Sequence, residues 1–250
     1  MADKVKRFFG GITVLSFWLL VWELCSRLIA HEILLPSPYT VAVTLWHMWG
    51  TVPFWRAVAA SLLRVVGGFA AAVVGGTVLA VLTTRYRLLD RVCAPLLHIV
   101  RAAPVASFII LAYFFLDLQI LPAFIAFLMV LPLVWANVSQ GIRSTDTRLL
   151  EMATVYRFGR WKTLCYVRVP SVLPYFEAAC TTGLGFAWKS GIAAEVISSP
   201  DNSIGEFLLS AKAYLEMPEV YAWTVTVILL SVLMERGLLW LVHRRQGVSV

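Results

Sequence analysis

Charged side chains within long apolar stretches are the positions of this sequence most suited to chemistry, because a charge held away from water is costly and tends to mark function. Arg64, Arg101, Lys189 and Glu195 are such positions. Arg64 and Glu195 could form a structural ion pair. Alternatively, the basic groups could line a path and compensate the charge of a passing anion. Trp188, beside Lys189, is a further candidate path residue. The sequence leaves both interpretations open.

Motifs for catalysis are absent from the sequence. It contains no Gly-x4-Gly-Lys-Ser/Thr phosphate loop and no Gly-x-Gly-x-x-Gly before a helix. No Ser-His-Asp or Cys-His arrangement lies in a catalytic context. The four histidines and four cysteines are scattered without the spacing of metal ligands. We therefore predict that the chain is not an enzyme, has no catalytic or metal-binding residues and binds no cofactor itself.

The composition is that of a membrane protein. Hydrophobic residues make up 60% of the 250 positions and charged residues 14%, whereas soluble domains have about 25% charged residues. The formal net charge of +7 comes from basic residues at the ends of apolar runs. This placement is typical of the positive-inside rule and argues against a nucleic-acid partner. We predict an all-α integral membrane protein whose surroundings are a lipid bilayer.

Six apolar stretches are long enough to cross a bilayer, which takes about 20 residues. They are residues 10–30, 58–83, 93–116, 118–140, 172–197 and 219–242 of one transmembrane domain, 1–250. Most of the 21 Lys and Arg residues fall on one side of this topology, which predicts that both termini are cytoplasmic. Prolines should kink spans three and four: Pro95, Pro104, Pro122 and Pro132.

Small residues at four-residue spacing predict which spans lie inside the bundle, because they let helix backbones approach closely. Span two has two adjacent ridges of this kind, 67–71–75 and 68–72–76, and span five has one, 183–187–191, which leads to Glu195. We expect spans two and five in the interior and the Trp-, Phe- and Leu-rich spans one, four and six at the periphery. Outside the membrane, 36–56 should hold a helix capped by Ser37.

The segment 143–170, between spans four and five, should form two short helices on the cytoplasmic side. Asp146 is a suitable N-cap for a helix at 147–157, and Gly159 offers a break before a second helix at 161–169. The apolar side chains of this segment have no membrane span to join. They favour docking to another protein, and the alternative is a basic loop lying on anionic lipid.

This loop resembles the Glu-Ala-Ala loop of the permease subunits of bacterial ABC importers. Glu151, Met152 and Ala153 stand at the Glu-Ala-Ala positions, and Arg157 stands at the motif glycine with Gly159 two positions later. The ends of the motif match Pro170 and Pro174. Further segments resemble the nitrate/sulfonate/taurine-type branch of that family: residues 35–38, 60–65, 141–144 and 187–196.

The resemblance implies a type I importer fold in which the loop couples the bundle to a separate cytoplasmic ATPase dimer, which binds ATP and Mg. It also implies an extracytoplasmic solute-binding protein, a second permease subunit that is either a copy of this chain or a close relative, and a place in the bacterial cytoplasmic membrane. The substrate would be a small anion such as a sulfonate, taurine or nitrate, or a vitamin precursor. An ion-gradient-driven secondary transporter is the alternative; it would favour internal repeats, and none is visible.

Overall fold

The computed structural model describes the backbone of residues 2–29, 31 and 33–245, and side chains between 13 and 240 other than those of 15, 30 and 32. All regular structure in this part of the chain is helical. The helices are α1 Ala2–Ile29, α2 Pro38–Trp49, α3 Val52–Arg85, α4 Arg87–Ala102, α5 Val105–Tyr113, α6 Leu121–Arg143, α7 Thr147–Val155, α8 Arg160–Thr163, a π-helical turn Leu164–Arg168, α9 Val169–Ser198, α10 Ile204–Ala213 and α11 Met217–Arg245.

The core is a three-helix arrangement with α6 between α3 and α9. The prediction that span four lies at the periphery is therefore wrong, since α6 has the most buried surface of the candidate spans. The reason is complementary shape. The glycine ridges of α3 and α9 form shallow grooves, and the branched side chains of Val130 and Val134 on α6 fill them. Helix α11 is mostly exposed, as expected for the periphery.

Adjacent glycines on α3 have different surroundings. A Cβ on Gly68 would lie 2.2 Å from the carbonyl oxygen of Ala123, whereas one on Gly67 would meet nothing within 4 Å. The ridge 68–72–76 thus makes the close contact with α6. On the parallel ridge, Gly67 faces open space, and a Cβ on Gly75 would only reach ordinary van der Waals distance, 3.6 Å, from side chains of α6. On α9, a Cβ on Gly191 would lie 2.5 Å from Val65, so the predicted ridge of span five does face the interior.

Local signals explain the ends of the outer helices. Ser37 caps α2 by accepting a hydrogen bond from the backbone N–H of Thr40 at 3.1 Å, which confirms the sequence prediction. Helix α2 ends at Trp49 with Gly50 as its C-cap, so the expected short helix fills only part of the segment 36–56. Helix α3 begins at Val52 rather than at 58, with Pro53 in its first turn, where the missing N–H costs no hydrogen bond.

The predicted span 93–116 is not one helix. Helices α4 and α5 meet at an angle of 103°. Ala103 has the extended backbone that a following proline imposes, and Pro104 starts the new direction. Pro95 and Pro132 lie within unbroken helices. Within the described residues, three helices (α3, α6 and α11) are long and apolar enough to cross a membrane, or four if the α4–α5 pair counts as one span.

Candidate functional site

A buried polar cluster joins α3 to α9. Glu195 is fully buried, and Arg64 is 15% exposed in its side chain. Their charged groups lie 3.5 Å apart, measured from Nη1 to Oε1. The other carboxylate oxygen of Glu195 accepts a hydrogen bond of 2.7 Å from Ser61 Oγ. Of the two interpretations that the sequence left open for Arg64 and Glu195, an ion pair or path residues, the structure shows the ion pair.

Backbone groups in the first turn of α10 complete the cluster. Ser61 Oγ accepts a hydrogen bond of 3.0 Å from the N–H of Ile204, and the N–H of Gly205 donates to Glu195 Oε2 at 3.4 Å. A side chain at Gly205 is excluded because its Cβ would lie 2.3 Å from the backbone carbon of Glu195. The carboxylate thus fixes the start of α10 against the end of α9.

Arg64 extends the cluster to a third segment. Its Nη2 donates to the side-chain carbonyl of Gln119, just before α6, and to the backbone carbonyl of Asp201 at 3.1 Å. Sequence reasoning missed Gln119 and Ser61. A usable signal existed for Ser61, which lies three residues before Arg64 and so shares a face of the same helix. No local signal pointed to Gln119.

The remaining path candidates lie apart from this cluster. Trp188 is buried, and its Nε1 donates to the carbonyl of Val227 at 3.0 Å, so it anchors α9 to α11. Lys189 points the other way and is exposed, on a face of α9 that also carries Thr182. Arg101 is exposed in the last turn of α4. Neither Lys189 nor Arg101 has a hydrogen bond or ion pair with another described residue.

The loop helix α7 has the form that its sequence predicts. Asp146 is its N-cap and accepts a hydrogen bond of 2.8 Å from the N–H of Arg148. Ala153 is 2% exposed, and α7 packs on the π-helical turn. Glu151 and Met152 are exposed on the outer side. The small side chain of Ala153 thus lets α7 pack closely on the π-helical turn. The side chains of Glu151 and Met152 remain exposed to solvent.

Arg157 ends α7 in a left-handed conformation, with φ of 53°. The N–H of Phe158 donates to the carbonyl of Ala153 at 2.8 Å, and the N–H of Arg157 donates to Thr154 at 3.0 Å. This pair of bonds is a Schellman cap, whose left-handed position usually holds glycine. The helix break therefore falls at the position of the motif glycine even though arginine occupies it.

The second short helix is not a separate element, which corrects the sequence prediction of a helix at 161–169. Gly159 precedes α8, and the chain then continues through the π-helical turn into α9 without a break. Pro170 and Pro174 lie in the first turns of α9 and are exposed. A widened π turn accommodates Pro170, because the proline ring would crowd a carbonyl of the regular preceding turn.

Large apolar side chains are exposed on the outside of this loop. Val155 is 80% exposed, Trp161 75% and Tyr156 70%. They follow Glu151 and Met152 along the chain, and together these five residues are called the coupling surface below. Exposed apolar groups beside a charge in a polar loop are typical of a protein interaction site. The described residues do not cover them.

Comparison with known proteins shows matches over most of the chain. The family model described as "Binding-protein-dependent transport system inner membrane component" matches residues 72–246. The riboflavin transport system permease protein RibX of Chloroflexus aurantiacus is 27% identical over 225 residues, which cover 88% of this chain and 83% of the relative. The nitrate import permease protein NrtB of Synechococcus elongatus is 24% identical over 219 residues, covering 83% and 78%.

A solved structure has the same fold. It is that of an amino acid ABC transporter with histidines, and it superposes with a TM-score of 0.61 at 12% sequence identity. The match covers 74% of this chain and 90% of the other. At that identity the likeness concerns the arrangement of helices alone.

Proposed function

This chain belongs to the family of binding-protein-dependent transport system inner membrane components, and on that premise we propose that it forms the substrate path of an ATP-driven importer and is moved by a separate ATPase. The chain is an ABC importer permease, with the helical fold of an ABC transporter permease. Its relatives include nitrate permeases. The proposal concerns what this particular bundle couples to, and what it carries.

The coupling surface is the observation that carries the proposal. Helix α7 follows α6 in the chain and packs on the π-helical turn that continues into α9, so a push on it would be passed to a core helix. Its exposed face combines the Glu151 carboxylate with Met152 and with uncovered apolar groups. A partner with a groove for a short helix and a basic group opposite Glu151 fits this face. We assign that role to a cytoplasmic ATPase dimer that binds ATP and Mg; the permease binds neither.

Side-chain contacts support six membrane crossings. Gln119, before α6, meets Arg64 near the outer end of α3, whereas Arg85 at the end of α3 and Arg143 at the end of α6 line one cavity at the opposite end. Helices α4 and α5 must therefore return the chain from one end to the other, and the bent pair acts as one crossing. With α1, α9 and α11, this gives six spans and, by the positive-inside rule, two cytoplasmic termini.

The assembly we propose contains two copies of this chain in the cytoplasmic membrane of a bacterium. Lys189 and Thr182 lie on an exposed face of α9, which would then border a path between the copies. An extracytoplasmic solute-binding protein would deliver substrate to the end at which Arg64 and Glu195 close the bundle. Closure of the ATPase pair would shift the balance between inward- and outward-facing states, because it favours one of them.

A small anion is the substrate class that the charges favour. Glu195 neutralises Arg64, so that arginine is a structural group. Lys189 and Arg101 have no acidic partner among the described residues, so a passing anion could interact favourably with both basic groups. The nitrate permease relative agrees with an anion, while the riboflavin relative keeps a vitamin or its precursor as the second candidate.

Substitution of Glu151 by Lys tests the coupling role. The purified permease with its co-expressed ATPase should lose ATPase binding and transport-linked ATP hydrolysis, because a positive charge replaces the carboxylate at the contact. Glu235→Lys, an exposed glutamate on α11 away from the coupling surface, is the control and should leave both unchanged. Normal substrate-stimulated ATPase activity in Glu151→Lys would contradict docking at α7. Uptake driven by an ion gradient without any ATPase would instead establish a secondary transporter.

A further inference from the structure

A cavity of about 740 Å³ lies at the end of the bundle that carries the coupling loop. Helices α3, α6 and α9 form its walls, and α7 and the π-helical turn border its mouth. The α9 wall is a continuous apolar ridge of residues 169, 172, 173 and 176, at the spacing of one helix face. The coupling surface lies elsewhere, so ATPase docking to Glu151 does not fill this space.

Basic residues surround the cavity, and none of the described residues that line it is acidic. Arg85, Arg143 and Arg168 all line it, and all three are exposed. Arg143 donates to Asp90 at 3.1 Å, which neutralises one charge. Arg85 and Arg168 have no hydrogen bond or ion pair with another described residue. Two guanidinium groups without an acidic partner are therefore available, and each can donate a pair of hydrogen bonds to an anion such as a phosphate group.

The cavity has the depth of a lipid chain rather than of a soluble anion. It extends along α3 from Arg85 to Thr77, eight residues, or about 12 Å at the helical rise, and its apolar lining comes from Val81 and from the facing side chains of α6 and α9. One leaflet of a bilayer has about 15 Å of hydrocarbon. Val81, midway along this wall, is 51% exposed although it faces an apolar space. A free phosphate would leave this surface uncovered.

We propose that this cavity binds an anionic phospholipid of the cytoplasmic leaflet, with its phosphate between Arg85 and Arg168 and an acyl chain along Val81 and the α9 ridge. Burial of the chain's methylene groups and contact of the phosphate with two arginines both favour binding. The lipid would fill the space between the ends of α3 and α9, directly behind α7. Its presence would stiffen the base on which the coupling helix rests.

The test is a lipid titration of the detergent-solubilised full chain followed by native mass spectrometry. Dioleoyl phosphatidylglycerol is compared with dioleoyl phosphatidylcholine, which has the same chains and no net charge. We expect the wild type to bind the anionic lipid about tenfold more tightly, from the two uncompensated arginines. The double variant Arg85→Gln/Arg168→Gln should lose this preference. The control Arg87→Gln/Arg160→Gln, two exposed arginines outside the cavity, should retain it.

A second pair of variants tests the acyl chain. Val81→Trp fills the apolar wall and should reduce phosphatidylglycerol binding with all arginines intact. Val78→Trp adds the same ring at a residue of α3 that is 53% exposed and outside the cavity, and should bind normally. Equal binding of both lipids, or unchanged binding in both the arginine and the Val81 variants, would overturn the proposal.

Inorganic phosphate distinguishes a lipid from a soluble anion. If phosphate alone competes fully for the site and Val81→Trp has no effect, the cavity takes a free anion and the proposal is wrong. Loss of lipid binding whenever two copies associate would likewise overturn it, since a second copy would then cover the cavity. The measurement needs no ATPase, so its failure would leave the coupling proposal standing, and failure of the Glu151→Lys test would leave the lipid site standing.

Discussion

Arg64 and Glu195 share an ion pair in which the two facing atoms, Nη1 and Oε1, have no hydrogen-bond partner in the described part of the chain. Their other atoms are occupied elsewhere. Arg64 Nη2 donates hydrogen bonds to Gln119 and Asp201, and Glu195 Oε2 accepts hydrogen bonds from Ser61 and Gly205. The pair thus links two separate sets of hydrogen bonds, and the charges hold α3, α9 and the loop before α6 together.

Removal of this carboxylate should weaken the bundle. We expect Glu195→Ala to lower the free energy of unfolding by about 3 kcal/mol, because it leaves the Arg64 charge without its partner in a largely buried place. Thermal unfolding in detergent, followed by circular dichroism, measures the effect. Glu235→Ala, an exposed glutamate without such partners, should change stability by no more than about 0.5 kcal/mol. Equal effects of the two variants would show that the cluster is not structural.

Two neighbouring glycines of α3 should respond in opposite ways to alanine. Gly67→Ala should stabilise the protein by roughly 1 kcal/mol, because the methyl group meets open space and alanine favours the helix. Gly68→Ala should destabilise it by about 2 kcal/mol or more, since the new Cβ would clash with the Ala123 carbonyl and push α6 away. Unfolding of both variants under identical conditions is the measurement. A gain of stability in Gly68→Ala would refute the packing of α3 on α6.

Arg157 occupies a backbone conformation that suits glycine better. Arg157→Gly should therefore stabilise the end of α7 by roughly 1 kcal/mol. Hydrogen exchange of the α7 amides would show slower exchange in this variant. Met152→Gly, in the middle of the same helix, is the control and should speed exchange, because glycine in a helix interior is unfavourable. Faster exchange in Arg157→Gly would mean that the guanidinium itself stabilises the loop.

Lys189 offers the clearest test of an anionic substrate. Lys189→Met keeps the length of the side chain and removes its charge, so uptake of an anion in proteoliposomes with the ATPase should fall about tenfold. Assembly should persist, because Lys189 has no polar partner among the described residues. Lys212→Met, at an exposed position of α10, is the matched control and should transport normally. Unchanged uptake in Lys189→Met would exclude this residue from the path.

Local signals made the helix ends predictable. Ser37 and Asp146 are N-caps as predicted, and the Gly183–Gly191 ridge faces the core, because capping and close approach depend on a few neighbouring residues. The choice between the ridges at Gly67 and Gly68 was not predictable, since it depends on which face meets another helix. The central position of α6 was not predicted for a related reason. Large apolar side chains can face lipid, but they can equally fill a groove between the glycines of neighbouring helices.

Contacts across long sequence separations account for the rest. Arg64 and Gln119 are 55 residues apart, and the sequence shows nothing that favours this partner over another amide. Pro104 signalled a kink, but proline does not set its size, so the 103° bend between α4 and α5 follows from packing on α6 and α9. Continuity of the chain through Pro170 was missed because a π turn has no sequence signature of its own.

The run from Arg160 through the π turn to Ser198 is helical throughout, and in the proposed topology it would act as a rod from one membrane face to the other. Pro170 stands near its lower end and Glu195 near its upper end, about 37 Å apart at the helical rise. In a rigid helix of this length, a small tilt at one end moves the other end a measurable distance. A tilt of about 5° at Pro170 would displace Glu195 sideways by roughly 3 Å. A displacement of that size is enough to separate the Glu195 carboxylate from Ser61. Movement of the lower end of α9 could thus break the contact between Glu195 and Ser61 at its upper end directly, without a hinge between the two ends.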